Sequence, residues 1–236
     1  MELTLEQQAD RLWDVWQLRN LIGKYQYLLT AHEHAQVYEM FSKRDDIYMD
    51  CEGMGILDGP PGVCKFFIDW HQHQDGDSMG QFNVKTITTD LIEVADDGLT
   101  AFALWKGPGY ETRKKLDGSS EVLHLWGIPA IDFIKEDGQW KIWHLRLPHS
   151  ILCDYHRSWV DLDDGRRVMG VDGELKQSGG KPKGDRPSGF RPNFYSQDIA
   201  NELTFELPVP YRTYDELAQK GFWAVKTFTG DGEDAE

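Results

Sequence analysis

Three Asp-Gly pairs in the middle of the chain restrict its fold more than any other feature. They occur at positions 97–98, 117–118 and 137–138. Asp-Gly favours the tight turns of β-hairpins, because both residues tolerate the positive φ angles that these turns need. Between the pairs the apolar residues recur in the manner of strands. The pattern therefore predicts a four-strand antiparallel meander. Its strands would occupy about residues 82–94, 99–113, 121–134 and 140–147.

The predicted strands carry apolar side chains on both faces. In the third strand, Leu123 and Leu125 lie on one parity, and Trp126 and Ile128 on the other. A sheet that has water on one face alternates apolar and polar residues, so this pattern indicates a sheet covered on both sides. We expect N-terminal helices on one face and the C-terminal segment or another subunit on the other.

The chain before the meander is predicted to be mostly helical. Thr4 and Gln7 have the spacing of a capping box, which would start a helix that extends to about residue 30. Apolar residues at helical spacing predict one stripe that faces a core. The stripe consists of Leu5, Ala9, Leu12, Trp16, Leu18, Leu21, Ile22, Tyr25 and Leu29. A helix at 35–41, a strand at 46–51 and a helix opening at Pro60 follow, since proline suits a first helical turn.

The chain is predicted to have two parts, a domain at residues 1–150 and a C-terminal extension at 151–236. Residues 168–192 are rich in glycine, proline, lysine and aspartate, a composition that buries little apolar surface and indicates a long loop. Thr213 and Glu216 have the spacing of a cap for a short later helix. We expect the extension to cover the open sheet face or the pocket mouth of a neighbouring subunit.

The charge of the chain excludes some classes of partner. It has 25 basic and 40 acidic residues, a formal charge of −15. Such a charge repels phosphate groups, so nucleic acid and anionic membranes are poor candidate partners. There is no apolar run of about 18 residues, and residues 1–8 lack the order of a signal peptide. These features favour a folded cytoplasmic protein.

The predicted order of elements resembles the nuclear transport factor 2-like superfamily, and more closely its SnoaL-like branch. The resemblance covers about residues 8–150. Four stretches carry it: YQYLL at 25–29, residues 34–41, residues 55–62 and DGQWKI at 137–142. It implies an α+β cone, in which N-terminal helices pack on a curved antiparallel sheet around a deep pocket.

The resemblance also implies an activity. Relatives in this superfamily include scytalone dehydratase, bile-acid 7α-dehydratase and a diarylpropane lyase, none of which uses a cofactor. By resemblance we predict a cofactor-independent lyase that binds a hydroxylated aromatic or polycyclic small molecule. The reaction would be dehydration, or deformylation through a quinone-methide-like intermediate. An isomerase or cyclase, a non-catalytic ligand-binding protein and a dioxygenase small subunit are alternatives on the same fold. A homo-oligomer is expected, a trimer before a dimer.

Family positions indicate several catalytic residues. Tyr25 occupies the tyrosine position of the first helix, whereas Thr30 stands where the dehydratases usually carry an aspartate. Lys85 lies where they carry a histidine. His124, in a strongly apolar strand, matches the strand histidine of scytalone dehydratase and is expected to transfer protons. Arg146 lies near an arginine of the bile-acid enzyme and suits an oxyanion or carboxylate.

Strand alternation adds further candidates. Tyr48 and Asp50 share one face of their strand, and would form a phenol and carboxylate pair if that face points inward. His144 shares a face with Arg146 in the last strand. The candidate substrate-binding residues are Trp105, Trp126 and His144.

Two histidine pairs have the composition of metal ligands. They are His32 with His34 and His71 with His73. Their spacing of two residues points the side chains of a helical pair away from each other. We therefore predict no metal site and no cofactor.

Overall fold

The computed structural model describes residues 3–72, 78–114, 119–156, 158–161, 182–190, 195–198 and 200–219. Within these residues the α-helices are α1 (Leu5–Thr30), α2 (His34–Tyr38), α3 (Gly59–Cys64) and α4 (Tyr214–Gln219). A π-helix, Lys65–Gln72, continues α3, and a 3-10 turn lies at Trp159–Asp161. The strands are β1 (Tyr48–Cys51), β2 (Gly55–Asp58), β3 (Phe82–Lys85), β4 (Thr88–Val94), β5 (Thr100–Lys114), β6 (Ser120–Gly127), β7 (Ala130–Glu136), β8 (Gln139–Leu147) and β9 (His149–Asp154).

The predicted helix signals are confirmed where the structure describes them. Gln7 N donates to Thr4 Oγ1 over 3.2 Å, and Thr4 N donates to Gln7 Oε1 over 2.9 Å, so the capping box is complete. Helix α3 has proline in its first turn. At α4, Glu216 N donates to Thr213 Oγ1 over 3.4 Å. These local signals depend on neighbours in sequence, which is why the sequence alone predicts them.

Helix α1 has apolar residues on two opposite sides, and the prediction of a single core stripe is wrong for its first half. The buried row is Asp14, Leu18, Ile22 and Tyr25. By contrast, Leu5, Leu12 and Trp16 are exposed. At about 100° per residue these three lie on the side of the helix away from the buried row. The sequence does not show which of the two rows faces the sheet.

All of these strands belong to one 9-stranded sheet with the order β2-β1-β8-β7-β5-β6-β9, and β3 and β4 also pair with β5. The pair β1 and β8 is parallel and the other pairs are antiparallel. The antiparallel meander is thus confirmed, and it is extended by β1, β2 and β9.

Strand β5 changes partners halfway along its 15 residues. Its first half pairs with β4 and β7, and its second half pairs with β3 and β6. The prediction of one continuous strand at 82–94 and another at 121–134 is therefore wrong. Gly107, Pro108 and Gly109 lie where the partners change. Proline cannot donate to a ladder and glycine permits a sharp bend, so the sheet curls at this point.

Two of the three predicted Asp-Gly turns are described. Gly98 has φ +69°, and Asp137 and Gly138 have φ +49° and +75°. Two successive positive φ angles are typical of the type I′ hairpin turn. The pair at 117–118 and residues 168–181 and 191–192 of the predicted loop lie outside the described residues.

Both faces of the sheet are covered, as the apolar pattern predicts. One face packs on α1 and α3 through residues that include Met49, Ile131 and Leu145. On the other face, Phe102 and Leu104 pack against residues of the same chain from beyond β9. These are Phe190, Phe205, Tyr211 and Leu217. Each buried side chain of this size contributes roughly 1.5–3 kcal/mol, so the packing holds this segment on the sheet.

None of the helices in the described part of the chain has the length and apolar character needed to cross a membrane.

The contact that joins α1 to the β7–β8 hairpin provides a test of the fold. The buried carboxylate of Asp14 accepts from Lys135 Nζ over 2.7 and 2.8 Å and from Trp140 Nε1 over 2.9 Å. Asp14→Ala removes the acceptor from both donors. We expect the free energy of unfolding in urea to fall by about 2–3 kcal/mol. Asp10→Ala, on the exposed side of α1, should change it by less than about 0.5 kcal/mol. Equal losses would contradict this role for Asp14.

Candidate active site

A pocket lies between α1 and the curled part of the sheet. Its cavity volume is about 30 Å³, and with the open space at its mouth the gap between the protein atoms is about 400 Å³. Apolar side chains form most of its lining, with polar groups from Tyr25, Gln26, Lys85 and His149. The other lining residues are Leu29, Ile87, Gly107, Gly127, Pro129, Leu147 and Pro148. An apolar cavity with a few polar groups is the usual form of a small-molecule site.

Two glycines leave room for this pocket. Gly107 and Gly127 face each other in the β5–β6 ladder, and both line the pocket. A Cβ atom on Gly127 would lie 3.6 Å from Cδ2 of His149, so a side chain there would occupy the space beside the imidazole. A third glycine, Gly109, lets β3 approach closely, because its Cβ would lie 2.3 Å from the carbonyl oxygen of Val84.

A carboxylate and imidazole pair stands at the pocket wall. Glu52 is in the turn after β1 and is only 5% exposed. Its Oε2 accepts from His149 N over 2.7 Å and lies 3.1 Å from His149 Nδ1. The carboxylate thereby fixes the ring and favours a proton on Nδ1, which leaves Nε2 as the nitrogen that can exchange a proton with a ligand. A buried carboxylate also stabilises the imidazolium that forms on proton transfer.

Tyr25 and Lys85, both predicted from family positions, line the same pocket. Burial raises the pKa of Tyr25, and nearby Cys51 raises it further, so its phenol is a hydrogen-bond donor at neutral pH. Lys85 ends β3, and its Cγ and Cα pack over Gly109. Thr30, at the predicted aspartate position, donates from Oγ1 to Asn83 O over 2.8 Å. This bond ties the end of α1 to the strand that carries Lys85.

The other strand candidates come together on the opposite face of the sheet. Tyr48, Asp50, His144 and Arg146 alternate along β1 and β8 with residues that pack on α1. With Asp132 of β7 they form a buried polar cluster, which we call the rear cluster.

Asp132 is at the centre of the rear cluster. Its Oδ2 lies 2.6 Å from His144 Nδ1 and accepts from Arg146 Nη2 over 2.9 Å. Arg146 also donates to the Tyr48 hydroxyl. Burial raises the pKa of Tyr48 to about 12, despite the opposing effect of Arg146. Burial alone would lower the pKa of Arg146, but Asp132 and Tyr48 raise it on balance, so its guanidinium stays charged.

The C-terminal segment covers the rear cluster. Asp50 Oδ1 accepts from Ser188 Oγ, and its Oδ2 from Gly189 N, each over 2.7 Å. The guanidinium of Arg186 lies over the Tyr48 ring at 5.5 Å, and the Tyr214 hydroxyl lies 3.4 Å from His144 Nδ1. The cluster therefore fixes the segment to the sheet, and the catalytic roles predicted for its members stay predictions.

The remaining candidates lie apart from the pocket lining. His124 stacks on Tyr110 with 5.2 Å between ring centroids and lies edge-on to Trp159 at 6.0 Å. Trp126 is 38% exposed on the same strand. Trp105 is buried in the core, edge-on to Phe133. These three residues are not among those that line the pocket with Tyr25 and Lys85.

The described residues contain no group of three or more histidine, cysteine or acidic side chains placed to hold a metal ion. His32 and His34 lie edge to face at 5.7 Å, and His34 stacks on His71 at 4.9 Å. His73 lies outside the described residues.

Sequence reasoning missed Glu52 and His149. Neither lies inside a periodic apolar strand, and they are separated by almost the whole meander. The only local signals are that Glu52 follows a short strand and that His149 follows Pro148 after the last predicted strand. A family position or a polar residue at a strand end could have identified them.

Comparisons with known proteins agree on the fold. Residues 10–146 match the SnoaL-like domain family. A type 2 LinA hexachlorocyclohexane dehydrochlorinase superposes with a TM-score of 0.52 at 14% identity, covering 62% of this chain and 92% of that one. LinA-type3 from Novosphingobium barchaimii LL02 superposes with a TM-score of 0.51 at 14% identity, covering 64% of this chain and 96% of that one.

A scytalone dehydratase-like protein from Novosphingobium aromaticivorans DSM 12444 superposes with a TM-score of 0.50 at 16% identity, covering 64% of this chain and 93% of that one. A comparison with curated protein sequences found no match. The predicted SnoaL-like resemblance and the α+β cone are confirmed.

The glycines of the pocket wall give a direct test of this geometry. Gly127→Ala makes only ordinary contacts, so we expect its free energy of unfolding to stay within about 0.5 kcal/mol of the wild type. Gly109→Ala forces its Cβ against the backbone of β3 and should cost about 1–3 kcal/mol. Urea unfolding of both variants measures the difference. Equal stabilities would contradict the close approach of β3.

The rear cluster predicts a pH dependence of stability. Burial raises the pKa of Asp50, although Ser188, Gly189 and two arginines partly oppose it. Asp50 therefore binds more protons in the folded chain than in the unfolded chain at pH values between its ordinary pKa of 3.8 and its higher native pKa. For this reason the contribution of Asp50 to the free energy of unfolding falls as pH rises through the native pKa. In urea unfolding from about pH 3.5 to about pH 7, the stability of Asp50→Asn relative to wild type should increase with pH. A difference that stays constant or decreases would contradict this.

Proposed function

The chain belongs to the SnoaL-like domain family, and on that premise we propose that it is a cofactor-independent lyase that uses the pocket between α1 and the sheet. The proteins of similar fold include dehydrochlorinases and a scytalone dehydratase-like protein, and both chemistries are eliminations. An elimination needs a base for a carbon-bound proton and a group that stabilises the departing atom.

The Glu52–His149 pair is the observation that carries the proposal. Its imidazole lines an apolar pocket, and its Nδ1 is held by a buried carboxylate. This arrangement leaves Nε2 to take a proton and stabilises the resulting imidazolium. Among the histidines of the described residues, His149 is the one that lines this pocket. We therefore assign proton transfer to His149, in place of the earlier candidate His124.

Lys85 and Tyr25 are proposed to stabilise the oxygen that gains negative charge. The ammonium of Lys85 offers a point charge, and the phenol of Tyr25 donates a hydrogen bond. Both line the pocket with His149, and the proposal requires that one small molecule contacts all three.

Dehydration on these groups is balanced in atoms and charge. His149 Nε2 takes a proton from a carbon next to the one that bears the hydroxyl. The electron pair of the broken C–H bond forms the double bond as the C–O bond breaks. The departing oxygen takes a proton from Lys85 or Tyr25 and leaves as water. The proton on His149 then returns to that donor through solvent.

Hydroxylated aromatic compounds are the proposed substrates, because the pocket lining is largely apolar with a few polar groups. In an aryl diol that also carries a para phenol, the benzylic hydroxyl takes a proton from Lys85 or Tyr25 and leaves as water. The phenol gives its own proton back to that donor through solvent, and the product is a quinone methide. If His149 then takes the proton of a neighbouring hydroxymethyl group, its carbon leaves as formaldehyde. The electron pair of that C–C bond forms the new double bond, and the phenolate that results takes the proton from His149, which restores the phenol. Deformylation would thus use the same base as dehydration.

An assay by mass spectrometry and ultraviolet absorbance tests this function. The purified protein, with no added cofactor, is given phenolic diols, diarylpropane diols and hydroxylated polyketide or steroid analogues. We expect loss of water or formaldehyde and a new conjugated chromophore. His149→Gln should lower kcat by about 10²–10⁴-fold. Glu52→Gln should also lower kcat, because the charged acceptor that holds His149 Nδ1 is lost.

Two further histidine variants serve as controls. His156→Gln changes an exposed histidine and should leave kcat unchanged. His124→Gln separates the two histidine assignments, because a loss of activity there with normal activity in His149→Gln would overturn the role of His149. A product of unchanged mass would show an isomerase or cyclase on the same groups, and would overturn the lyase assignment.

A further inference from the structure

The side of α1 away from the sheet carries a row of residues that we call the outer stripe, namely Leu5, Ala9, Leu12, Trp16, Asn20, Gly23 and Tyr27. Leu5, Leu12, Trp13, Trp16 and Tyr27 are between 55% and 83% exposed. The rings of Trp13 and Trp16 stack with their centroids 4.7 Å apart. Single exposed apolar residues are common on protein surfaces, but the exposed group of Leu5, Leu12, Trp13 and Trp16 within about three helical turns marks an interaction surface.

The outer stripe is symmetric about Trp16. Its members lie 4, 7 and 11 residues from Trp16 in both directions. They are Leu12, Ala9 and Leu5 on one side, and Asn20, Gly23 and Tyr27 on the other. At about 100° per residue they fall within an arc of roughly 80°. An antiparallel copy of the helix would therefore place Trp16 on Trp16 and Leu5 on Tyr27.

Small groups at intermediate positions permit close approach. Ala9 would face Gly23 of the second copy, and a Cβ built on Gly23 meets no atom within 4 Å, so the surface there is open. The Asn20 amide donates to Trp16 O over 3.0 Å and thus folds back on its own helix. Interaxial distance depends on the side chains at the contact, and small ones shorten it.

The charges on one flank of the stripe favour the antiparallel arrangement. Glu6 and Lys24 are both exposed and lie on the same side of the stripe. In the antiparallel pair, Glu6 lies within one helical turn of Lys24 of the second copy, and the contact occurs twice. In a parallel pair Glu6 of one copy would lie 18 residues along the contact from Lys24 of the other, so the two charges would not meet. Opposite charges that face each other select the orientation of an interface.

We propose that two copies of this chain form a homodimer through α1, antiparallel, with Trp16 on the two-fold axis. A two-fold contact uses the same patch on both subunits, and the symmetry of the outer stripe meets this requirement. The interface lies on the side of α1 away from the buried row that contains Tyr25, so it leaves the pocket open.

Light scattering after gel filtration tests the dimer. The full chain should have twice its monomer mass of 27.2 kDa. Trp16→Glu places two carboxylates at the two-fold axis and should give the monomer mass. Leu203→Glu introduces the same charge at a residue that is 61% exposed outside α1, and it should stay dimeric. A monomeric wild type, or a Trp16→Glu variant with the wild-type mass, would overturn the proposal. Either result would leave the stripe to another occupant.

A charge exchange tests the orientation and does not depend on the tryptophan variant folding. Glu6→Lys and Lys24→Glu, each alone, should raise the dimer dissociation constant at least fivefold in sedimentation equilibrium at low salt. The double variant restores both opposite-charge contacts and should return to within twofold of the wild type. If the double variant dissociates more readily than either single variant, the antiparallel pairing is wrong.

Discussion

The change of partners within β5 is the constraint on which the rest of the structure depends. Gly107, Pro108 and Gly109 interrupt this strand, so its two halves pair with different neighbours and the sheet curls. The curl brings β3 and the end of β8 around α1, and the pocket lies there. Gly107 also keeps the pocket wall free of a side chain, and Gly109 lets β3 approach, since a Cβ there would meet the backbone of β3. The fold and the space for a ligand therefore have a common origin.

Two carboxylate and histidine pairs occur on this sheet, and their surroundings separate their roles. Asp132 and His144 are buried under the C-terminal segment, together with Arg146 and its hydrogen bonds. Glu52 is equally buried, but its partner His149 lines an open pocket. A proton-transfer group must reach a substrate, whereas a pair buried away from solvent fixes one conformation at some cost in desolvation. Access to a ligand, more than the chemistry of the pair, therefore identifies the candidate active site.

The C-terminal segment completes the molecule on the side that the meander leaves open. Phe205 and Tyr211 cover apolar sheet residues, and Ser188 and Gly189 satisfy the buried carboxylate of Asp50. Without these donors, Asp50 would be a charge buried without hydrogen bonds, which is strongly unfavourable. The segment and the rear cluster thus require each other.

The sequence by itself determined the elements whose signals are local. The capping box at Thr4, the proline-opened helix, the Asp137-Gly138 turn and the strand periodicity depend on neighbours in the chain, and together they were sufficient to indicate the family and its cone. Tertiary structure decided which of the two apolar sides of α1 faces the sheet. It decided where β5 changes from one pair of neighbouring strands to another, and which face of β1 and β8 is open to a ligand. It also brought Glu52 to His149 across the whole meander. These outcomes depend on strand register and sheet curl, and a one-dimensional pattern contains neither.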